Sequence, residues 1–153
     1  MTMTKTTRAL LMLLIATGVP ALQACSHAMM MRRTGATRPA ASEFGLGPRP
    51  SIDGRYVATL EPAQPLRPRQ MQTVQVAVRD AAGRAVDDAA IAIDGGMPEH
   101  GHGLPTRPRM TRALGDGRYE LEGVRFNMSG WWEFRLAITS AAGADSVTFH
   151  LSL

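Results

Sequence analysis

At 153 residues, the chain allows one ordinary domain with appendages. The formal net charge of +4 and the pI of about 10.2 suggest an acidic partner, yet from Cys25 onward 15 Arg oppose 13 Asp and Glu, a net charge of only +2. Nucleic-acid binding would require a concentrated basic face, with aromatic platforms for a single strand. Two Trp, two Tyr and four Phe in a near-neutral domain do not provide one, so we predict no nucleic-acid partner.

Residues 1–24 have the pattern of a secretory leader. Lys5 and Arg8 form a positive amino-terminal region, and residues 9–19 form an apolar stretch. That stretch is shorter than the roughly 20 residues of an ordinary transmembrane span, and its length is typical of a signal peptide. We therefore expect the following domain to lie outside the cytoplasm.

The leader ends at Leu22-Gln23-Ala24-Cys25, which resembles the bacterial lipobox, where a Cys is lipidated and becomes the mature amino terminus. The alternative is a plain signal peptide cleaved near Ala24, with Cys25 incidental. We predict lipidation of Cys25, the single Cys of the chain, and a membrane partner through that lipid anchor. The expected location is the periplasmic side of the envelope, and Ser26 favours the outer membrane.

Residues 25–53 are predicted to be the lipidated Cys and a flexible linker, because they are rich in Pro, Gly and small residues and lack an apolar period. His27-Ala28-Met29-Met30-Met31 has the composition of a soft-metal site. We interpret it instead as part of a disordered tether just past the anchor. The folded domain is then expected to span residues 54–153.

From residue 54 the sequence alternates between apolar and polar residues in short runs separated by turn signals. Pro108 favours an edge position for the fourth run, and Gly123 indicates a bulge in the fifth, after which Val124, Phe126 and Met128 resume the alternation. The pattern predicts an all-β fold, an antiparallel β-sandwich of immunoglobulin-like size with about seven strands. The predicted strands are 56–60, 73–78, 89–94, 107–114, 118–124, 131–138 and 147–153.

The stretch from Gly95 to Thr106 interrupts this pattern with four Gly and two Pro. We interpret it as a loop that follows a strand ending at Asp94. Its chemically useful side chains are Met97, Glu99, His100 and His102. Residues two apart in an extended chain point the same way, so the two His can face one point. Imidazole with thioether is a ligand set that suits copper.

Each of these residues has an ordinary structural alternative. A His pair on a surface loop is commonly just solvated, Met97 can cap the sheet, and Met128 shares the core phase of Val124. The remaining candidates are weaker. We interpret Met110 as a packing residue and not as a ligand. His150 lies at a strand position whose side chain points away from the core. Trp131 covers the sandwich end or shields a soft-metal site.

Enzymatic activity is not expected. The chain has no G-x-S-x-G motif, no Gly-rich phosphate loop before a helix and no reactive Cys, and nothing completes a three-ligand zinc site around Glu99.

The run Met97-Pro98-x-His100-Gly101-His102, followed by Gly117-x-Tyr119 and Phe126-x-Met128-x-Gly130-x-Trp132, resembles the YtkA-like domain, which is related to FixH-like proteins. This resemblance implies a small extracytoplasmic sandwich, often anchored, that is associated with copper handling or with assembly of respiratory copper centres. Carried over residue by residue, it implies a copper-facing set of Met97, His100, His102 and Met128. Asn127 stands where another His could be expected, which favours Cu(I) over a Cu(II) site rich in imidazole.

Three functions therefore follow as expectations. The first is a lipid-anchored periplasmic protein that binds copper and delivers it, for example to a copper-receiving or respiratory-assembly protein. The second is a membrane-anchored interaction or assembly module that binds no metal. The third, ranked last, is an accessory domain for a small molecule or a redox enzyme.

Overall fold

The structure is a computed structural model that describes residues 36–153. The predicted leader, Cys25 and the His27–Met31 segment lie outside the described residues. The described part contains a short 3-10 helix, Ala41–Glu43, and nine strands. These are β1 (Arg49–Pro50), β2 (Tyr56–Pro62), β3 (Gln72–Asp80), β4 (Ala90–Met97), β5 (His102–Gly103), β6 (Arg109–Gly115), β7 (Arg118–Val124), β8 (Trp131–Ser140) and β9 (Gly143–Ser152).

The strands form two antiparallel sheets that pack face to face. One has the order β1-β2-β3-β7-β6 and the other the order β5-β4-β8-β9. The predicted antiparallel β-sandwich is confirmed, and the seven longer strands correspond to the seven predicted runs. The two further strands are two-residue pairings, which are too short for alternation to reveal.

The core lies between the inward faces of the two sheets, as the alternation requires. Each fully buried apolar side chain there contributes about 1.5–3 kcal/mol relative to its exposure to water. The inward residues include Tyr56, Ala58, Leu60, Val74, Val76, Val78, Tyr119 and Leu121 from the first sheet, and Ile91, Met97, Trp132, Phe134, Leu136, Ile138, Val147, Phe149 and Leu151 from the second.

The predicted bulge in β7 is confirmed by the strand register. Val74 of β3 pairs with Leu121, whereas Gln72 pairs with Val124, so β7 holds one extra residue between these two pairs. Gly123 has a φ of +78°, a backbone conformation that favours glycine. Val124 lies three residues after Leu121, so simple alternation would turn Val124 and Phe126 outward. The bulge shifts the alternation by one residue and keeps both side chains in the core.

Residues 44–53, here called the strap, precede the predicted start of the domain at residue 54 and pack on the sandwich. The Gly45 amide donates to the His150 carbonyl of β9 (3.0 Å), and the Leu46 carbonyl accepts from the Leu60 amide of β2 (2.6 Å). The Ile52 amide donates to the Ser146 carbonyl (2.9 Å). The strap thus bonds to both sheets through backbone groups, and such bonding leaves no apolar periodicity in the sequence.

The predicted end of the third strand run at Asp94 is wrong, because β4 continues through Gly95 and Gly96 to Met97. A Cβ at Gly95 would lie 2.5 Å from the Glu133 carbonyl oxygen. These two glycines therefore permit close approach of neighbouring strands and do not mark a loop.

Candidate metal site

Three of the four candidate ligands, Met97, His100 and His102, lie on a hairpin formed by β4 and β5. Gly96 pairs with Gly103, and Met97 pairs with His102. The turn between them is closed by a hydrogen bond from the His100 amide to the Met97 carbonyl (3.1 Å). Gly101 has a φ of +65°, so the chain reverses there in a conformation that glycine adopts without strain.

The hairpin depends on a close backbone contact at Gly96. A Cβ at this position would lie 2.5 Å from the His102 carbonyl oxygen, a distance that real Cβ atoms do not show. The glycine therefore sets how closely β5 can approach β4. It positions the backbone of His102 and, through the turn, that of His100.

His100 and His102 have exposed side chains that lie beside each other. Their ring centroids are 6.1 Å apart and their planes differ by 9°. The sequence prediction that both face one region is supported by this geometry, but the reason differs. Only His102 lies in a strand, whereas His100 lies in the turn, so the turn and not a shared extended segment brings them together.

Met97 and Met128 occupy opposite environments. Met97 is 1% exposed and belongs to the core. Met128 is 39% exposed, so the expectation that it continues the core phase of Val124 is wrong: β7 ends at Val124 and Met128 lies in the following turn. The Met128 carbonyl accepts a hydrogen bond from Trp132 Nε1 (3.0 Å), which holds this turn against β8.

The Met97 side chain reaches the turn that carries Met128. A Cβ at Gly130 would lie 2.7 Å from Met97 Cε, so the thioether methyl contacts the backbone two residues after Met128. The four predicted residues therefore belong to two adjoining segments at one end of the sandwich. We call Met97, His100, His102 and Met128 the hairpin site.

Other candidates lie elsewhere. Met110 on β6 packs against the core, as predicted. The His150 ring on β9 lies 6.0 Å from the Phe44 ring and 6.2 Å from the Trp131 ring. Trp131 lies on the outer face of its sheet beside His150, and it is only 1% exposed. Within residues 36–153, no three His, Cys, Asp or Glu side chains group closely enough to hold a metal ion.

Sequence reasoning missed a cavity of about 470 Å3 beside the hairpin. Its lining combines hairpin residues with an ion-pair network on the outer face of the sheet and with one residue of the amino-terminal segment, Ala36. The lining residues used below are Ala36, Asp94, Gly96, Met97, His102, Glu133 and Arg135. Strand alternation could indicate that Asp94, Glu133 and Arg135 face outward, but only the β4–β8 register shows that Asp94 pairs with Arg135.

Arg135 organises the charges at this cavity. Its guanidinium donates to Asp94 Oδ2 and to Glu133 Oε2, both at 2.7 Å. The hydrogen bond from Arg135, aided by the Gly95 amide, lowers the pKa of Asp94. The hydrogen bond to Asp94 raises the pKa of Arg135 although partial burial opposes this. The 74% exposed Asp94 side chain therefore presents a stable negative charge at the cavity rim.

One of three comparisons with known proteins, the family match, agrees with the resemblance noted in the sequence. No curated protein matches the chain. A solved structure titled "ZirS C-terminal Domain" aligns over 97% of both chains at 11% identity, but its TM-score of 0.36 is too low to inform fold or function. Among the described residues, no helix is long and apolar enough to cross a membrane. The sequence pattern of the YtkA-like family matches residues 53–137, more than half of the chain, so this protein belongs to the YtkA-like family.

Proposed function

We propose that this protein is a lipid-anchored protein of the periplasmic side of the envelope that binds Cu(I) at the hairpin site and delivers it to a partner. The observation that carries the proposal is the pair of exposed imidazoles, His100 and His102, held 6.1 Å apart beside Met97. The anchor at Cys25 and the leader rest on the sequence alone.

The spacing of the two rings suits ligation of a single ion. Metal–imidazole bonds are about 2 Å long, so two imidazoles on opposite sides of one ion have ring centroids about 6 Å apart. The observed distance of 6.1 Å falls at this value. Both rings are exposed, so side-chain rotations can align their nitrogens without disturbing the core.

The two thioethers determine which metal the donor set favours. Sulfur of Met is a soft donor, and a combination of two imidazoles with one or two thioethers suits Cu(I) better than a hard cation. Met97 would approach the ion from the core, where packing fixes it, and Met128 would approach it from a partly exposed turn. Because one donor is rigid and the others are accessible, the set favours transfer over permanent storage.

The sandwich would hold the donors in place. The β4–β5 pairing fixes His102 opposite Met97, and the Trp132 hydrogen bond fixes the Met128 turn. No catalytic group is proposed, and we expect no enzymatic activity. The recipient would be a protein that accepts copper, in keeping with the assembly of respiratory copper centres that the resemblance implies.

The second candidate function is a membrane-anchored interaction module that binds no metal. The observation that favours it is the full exposure of the hairpin turn from Glu99 to Gly103, which could contact a partner protein directly. The complete burial of Met97 is also consistent with a purely structural role for that residue.

Anaerobic Cu(I) titration against a chromophoric chelator separates the two functions. The full chain carrying Cys25→Ser, purified in detergent, retains every candidate ligand and lacks the one thiol that could compete. Replacing both His100 and His102 by Ala should weaken Cu(I) binding by more than about hundredfold, since even outer-shell changes cost about 10–100-fold. Glu99→Gln, in the same turn, should leave the affinity unchanged. If the parent protein fails to compete with a weak chelator, the copper function is wrong and the interaction module is favoured.

A further inference from the structure

The end of the sandwich that carries the hairpin site also carries a basic loop, residues 63–73, between β2 and β3. The loop contains Arg67 and Arg69, both exposed, and no acidic residue. The Arg69 amide donates a hydrogen bond to the Phe126 carbonyl (2.7 Å), two residues before Met128. The basic loop therefore lies directly against the turn that carries Met128.

The backbone of this loop is strained and held by hydrogen bonds. Arg69 has a φ of +64°, in the left-handed region that residues other than glycine rarely adopt. The Gln72 side chain accepts from the Arg67 amide (2.8 Å) and donates to the Arg67 carbonyl (2.9 Å). Strain of this kind persists only where surrounding bonds enforce it, and it is concentrated at functional sites. The loop thus presents two arginines on a backbone that its neighbours fix.

The same loop forms a cleft of about 490 Å3, within the range of about 300–1,000 Å3 that ligand pockets occupy. Its polar lining residues include Gln64, Arg67 and Gln70. Its apolar lining residues include Leu66, which packs against the core, and Met71, which is 62% exposed. Arg and Met are enriched in protein interfaces, so this lining suits a polypeptide that carries carboxylates and an apolar side chain.

The positive charge of the loop is not neutralised within the described part of the chain. The ion pairs among residues 36–153 are made by other arginines, namely Arg79, Arg84, Arg112 and Arg135. Arg125, which precedes Phe126, has a buried Nε with no hydrogen-bond partner among the same residues. Guanidinium groups bind carboxylates through paired hydrogen bonds, so this end of the sandwich favours an acidic partner.

We propose that the arginine cleft, defined as residues 63–73 together with Arg125, docks an acidic, extended segment of a partner protein beside the hairpin site. A recessed cleft with polar and apolar lining suits a peptide whose side chains enter it better than the flat array of phosphates at a membrane surface. The identification of this partner as the copper recipient rests on the proposed function, because the cleft would hold that protein next to the ion. The docking itself requires no copper.

Peptide titration of the copper-free full chain carrying Cys25→Ser, in non-ionic detergent, tests the docking through ¹H–¹⁵N spectra. The probe is a short peptide of Glu and Ser residues with one central Leu. We expect the amides of residues 63–73 to shift. Arg67→Gln combined with Arg69→Gln should weaken binding about tenfold, because two ion pairs are lost.

The matched control removes the same charge elsewhere. Arg84→Gln combined with Arg118→Gln changes the turn after β3 and the start of β7, toward the opposite end of the sandwich. This double variant should weaken peptide binding less than about twofold, because salt screens charges at that distance.

A second variant tests the apolar rim of the cleft without changing its charge. Met71→Gln should weaken binding of the Leu-containing peptide about threefold or more, because the contact between two apolar side chains is lost. Binding of a peptide with Ser in place of Leu should not change. Because Met71 is largely exposed, this substitution leaves the core intact.

Four outcomes would overturn the docking site. They are no binding of the acidic peptide by the parent protein, equal losses in the two double variants, an equal effect of Met71→Gln on both peptides, and shifts of residues 63–73 with phosphatidylglycerol-containing micelles but not with the peptide. The last result would mean that the cleft faces anionic lipid.

The docking site and the copper site can fail separately. Arg67→Gln combined with Arg69→Gln should keep the parental Cu(I) affinity, since it retains every residue of the hairpin site. A parent protein that binds the acidic peptide but no Cu(I) would refute the proposed function and the identity of the recipient, and it would confirm the docking site. Cu(I) binding without peptide binding would have the opposite meaning.

Discussion

At the scale of single residues, the glycines of the hairpin show how backbone contacts create the site. Gly96 and Gly103 face each other in the β4–β5 pair, but their surroundings differ. A Cβ at Gly96 would lie 2.5 Å from the His102 carbonyl oxygen, whereas a Cβ at Gly103 would lie no closer than 3.8 Å to the Gly95 carbonyl oxygen. Only the first position requires glycine.

Gly96→Ala should therefore displace β5 and move His102, while Gly103→Ala should not. We expect Gly96→Ala to lower the free energy of unfolding by about 1–3 kcal/mol and to weaken Cu(I) binding. The added methyl group would clash with the backbone of His102, which can move only if the pairing of β5 with β4 is disturbed. Urea unfolding and Cu(I) competition measure the two effects. If Gly96→Ala and Gly103→Ala had the same stability and the same Cu(I) affinity, the close approach of β5 to β4 at Gly96 would not have the role assigned to it.

A second residue-scale prediction concerns Tyr119, which is 1% exposed. Its hydroxyl accepts from the Ala89 amide (2.9 Å) and donates to the Val86 carbonyl. Tyr119→Phe should leave both backbone groups buried and unpaired, at a cost of about 1–3 kcal/mol. Tyr56→Phe serves as the control, because the Tyr56 hydroxyl bonds partly exposed partners, Ser140 and Gly143, that water can reach. Urea unfolding should show the larger loss for Tyr119→Phe, and the reverse order would refute the assignment.

At the scale of elements, Asp145 ties the loop between β1 and β2 to β9. Its carboxylate accepts from the amides of Asp53 and Arg55, each at 3.2 Å, and from the Ser146 amide at 2.7 Å. Burial tends to raise the pKa of Asp145, but the hydrogen bonds from the Ser51 side chain and these amides outweigh it and lower the pKa to about 2.

This shift predicts a loss of stability in acid. Because the pKa of Asp145 is lower in the folded than in the unfolded chain, its contribution is present above about pH 4 and is lost as the pH falls through about 2. Urea midpoints at about pH 6 and about pH 2 should differ less in Asp145→Asn than in the parent protein. Glu99→Gln, an exposed carboxyl of the hairpin turn, should retain the parental difference. An Asp145→Asn variant with undiminished pH dependence would contradict this account.

At the scale of the whole molecule, the strap of residues 44–53 joins the two sheets along one side of the sandwich. It bonds to His150 and Ser146 of β9 and to Leu60 of β2, so the stable domain begins before the family match at residue 53. The preceding residues from Ala36 connect the strap to the cavity beside the hairpin site.

A chain of residues 54–153 should therefore be less stable than one of residues 36–153. Removing the first 18 described residues unpairs backbone groups of β2 and β9 and uncovers the His150 ring beside Trp131. Each unpaired buried group costs about 1–3 kcal/mol, so the urea midpoint should fall clearly. Equal midpoints for the two chains would show that the strap contributes nothing to the fold.

The sequence predicted the elements whose side chains alternate and missed those held by backbone contacts. Alternation located the seven longer strands, and Gly123 marked the bulge in β7. The two residues of β5 are too few to show a period, and the strap shows none because backbone groups hold it. Gly95 and Gly96 suggest a loop because glycine serves both turns and close strand approach. The sequence indicated that His100 and His102 lie side by side. The exposure of Met128 and the cavity shared with Ala36 depend on strand ends and register, which composition does not encode.

The central claim, a Cu(I) site at the hairpin, is tested most directly by recording ¹H–¹⁵N spectra of the full chain carrying Cys25→Ser while Cu(I) is added without oxygen. Cu(I) is diamagnetic, so nearby signals remain visible. The account predicts changes confined to the amides of residues 97–104 and 127–131, with the His100 and His102 rings shifting together and saturating near one equivalent. Absence of changes, or changes centred on Met110 or His150, would contradict it.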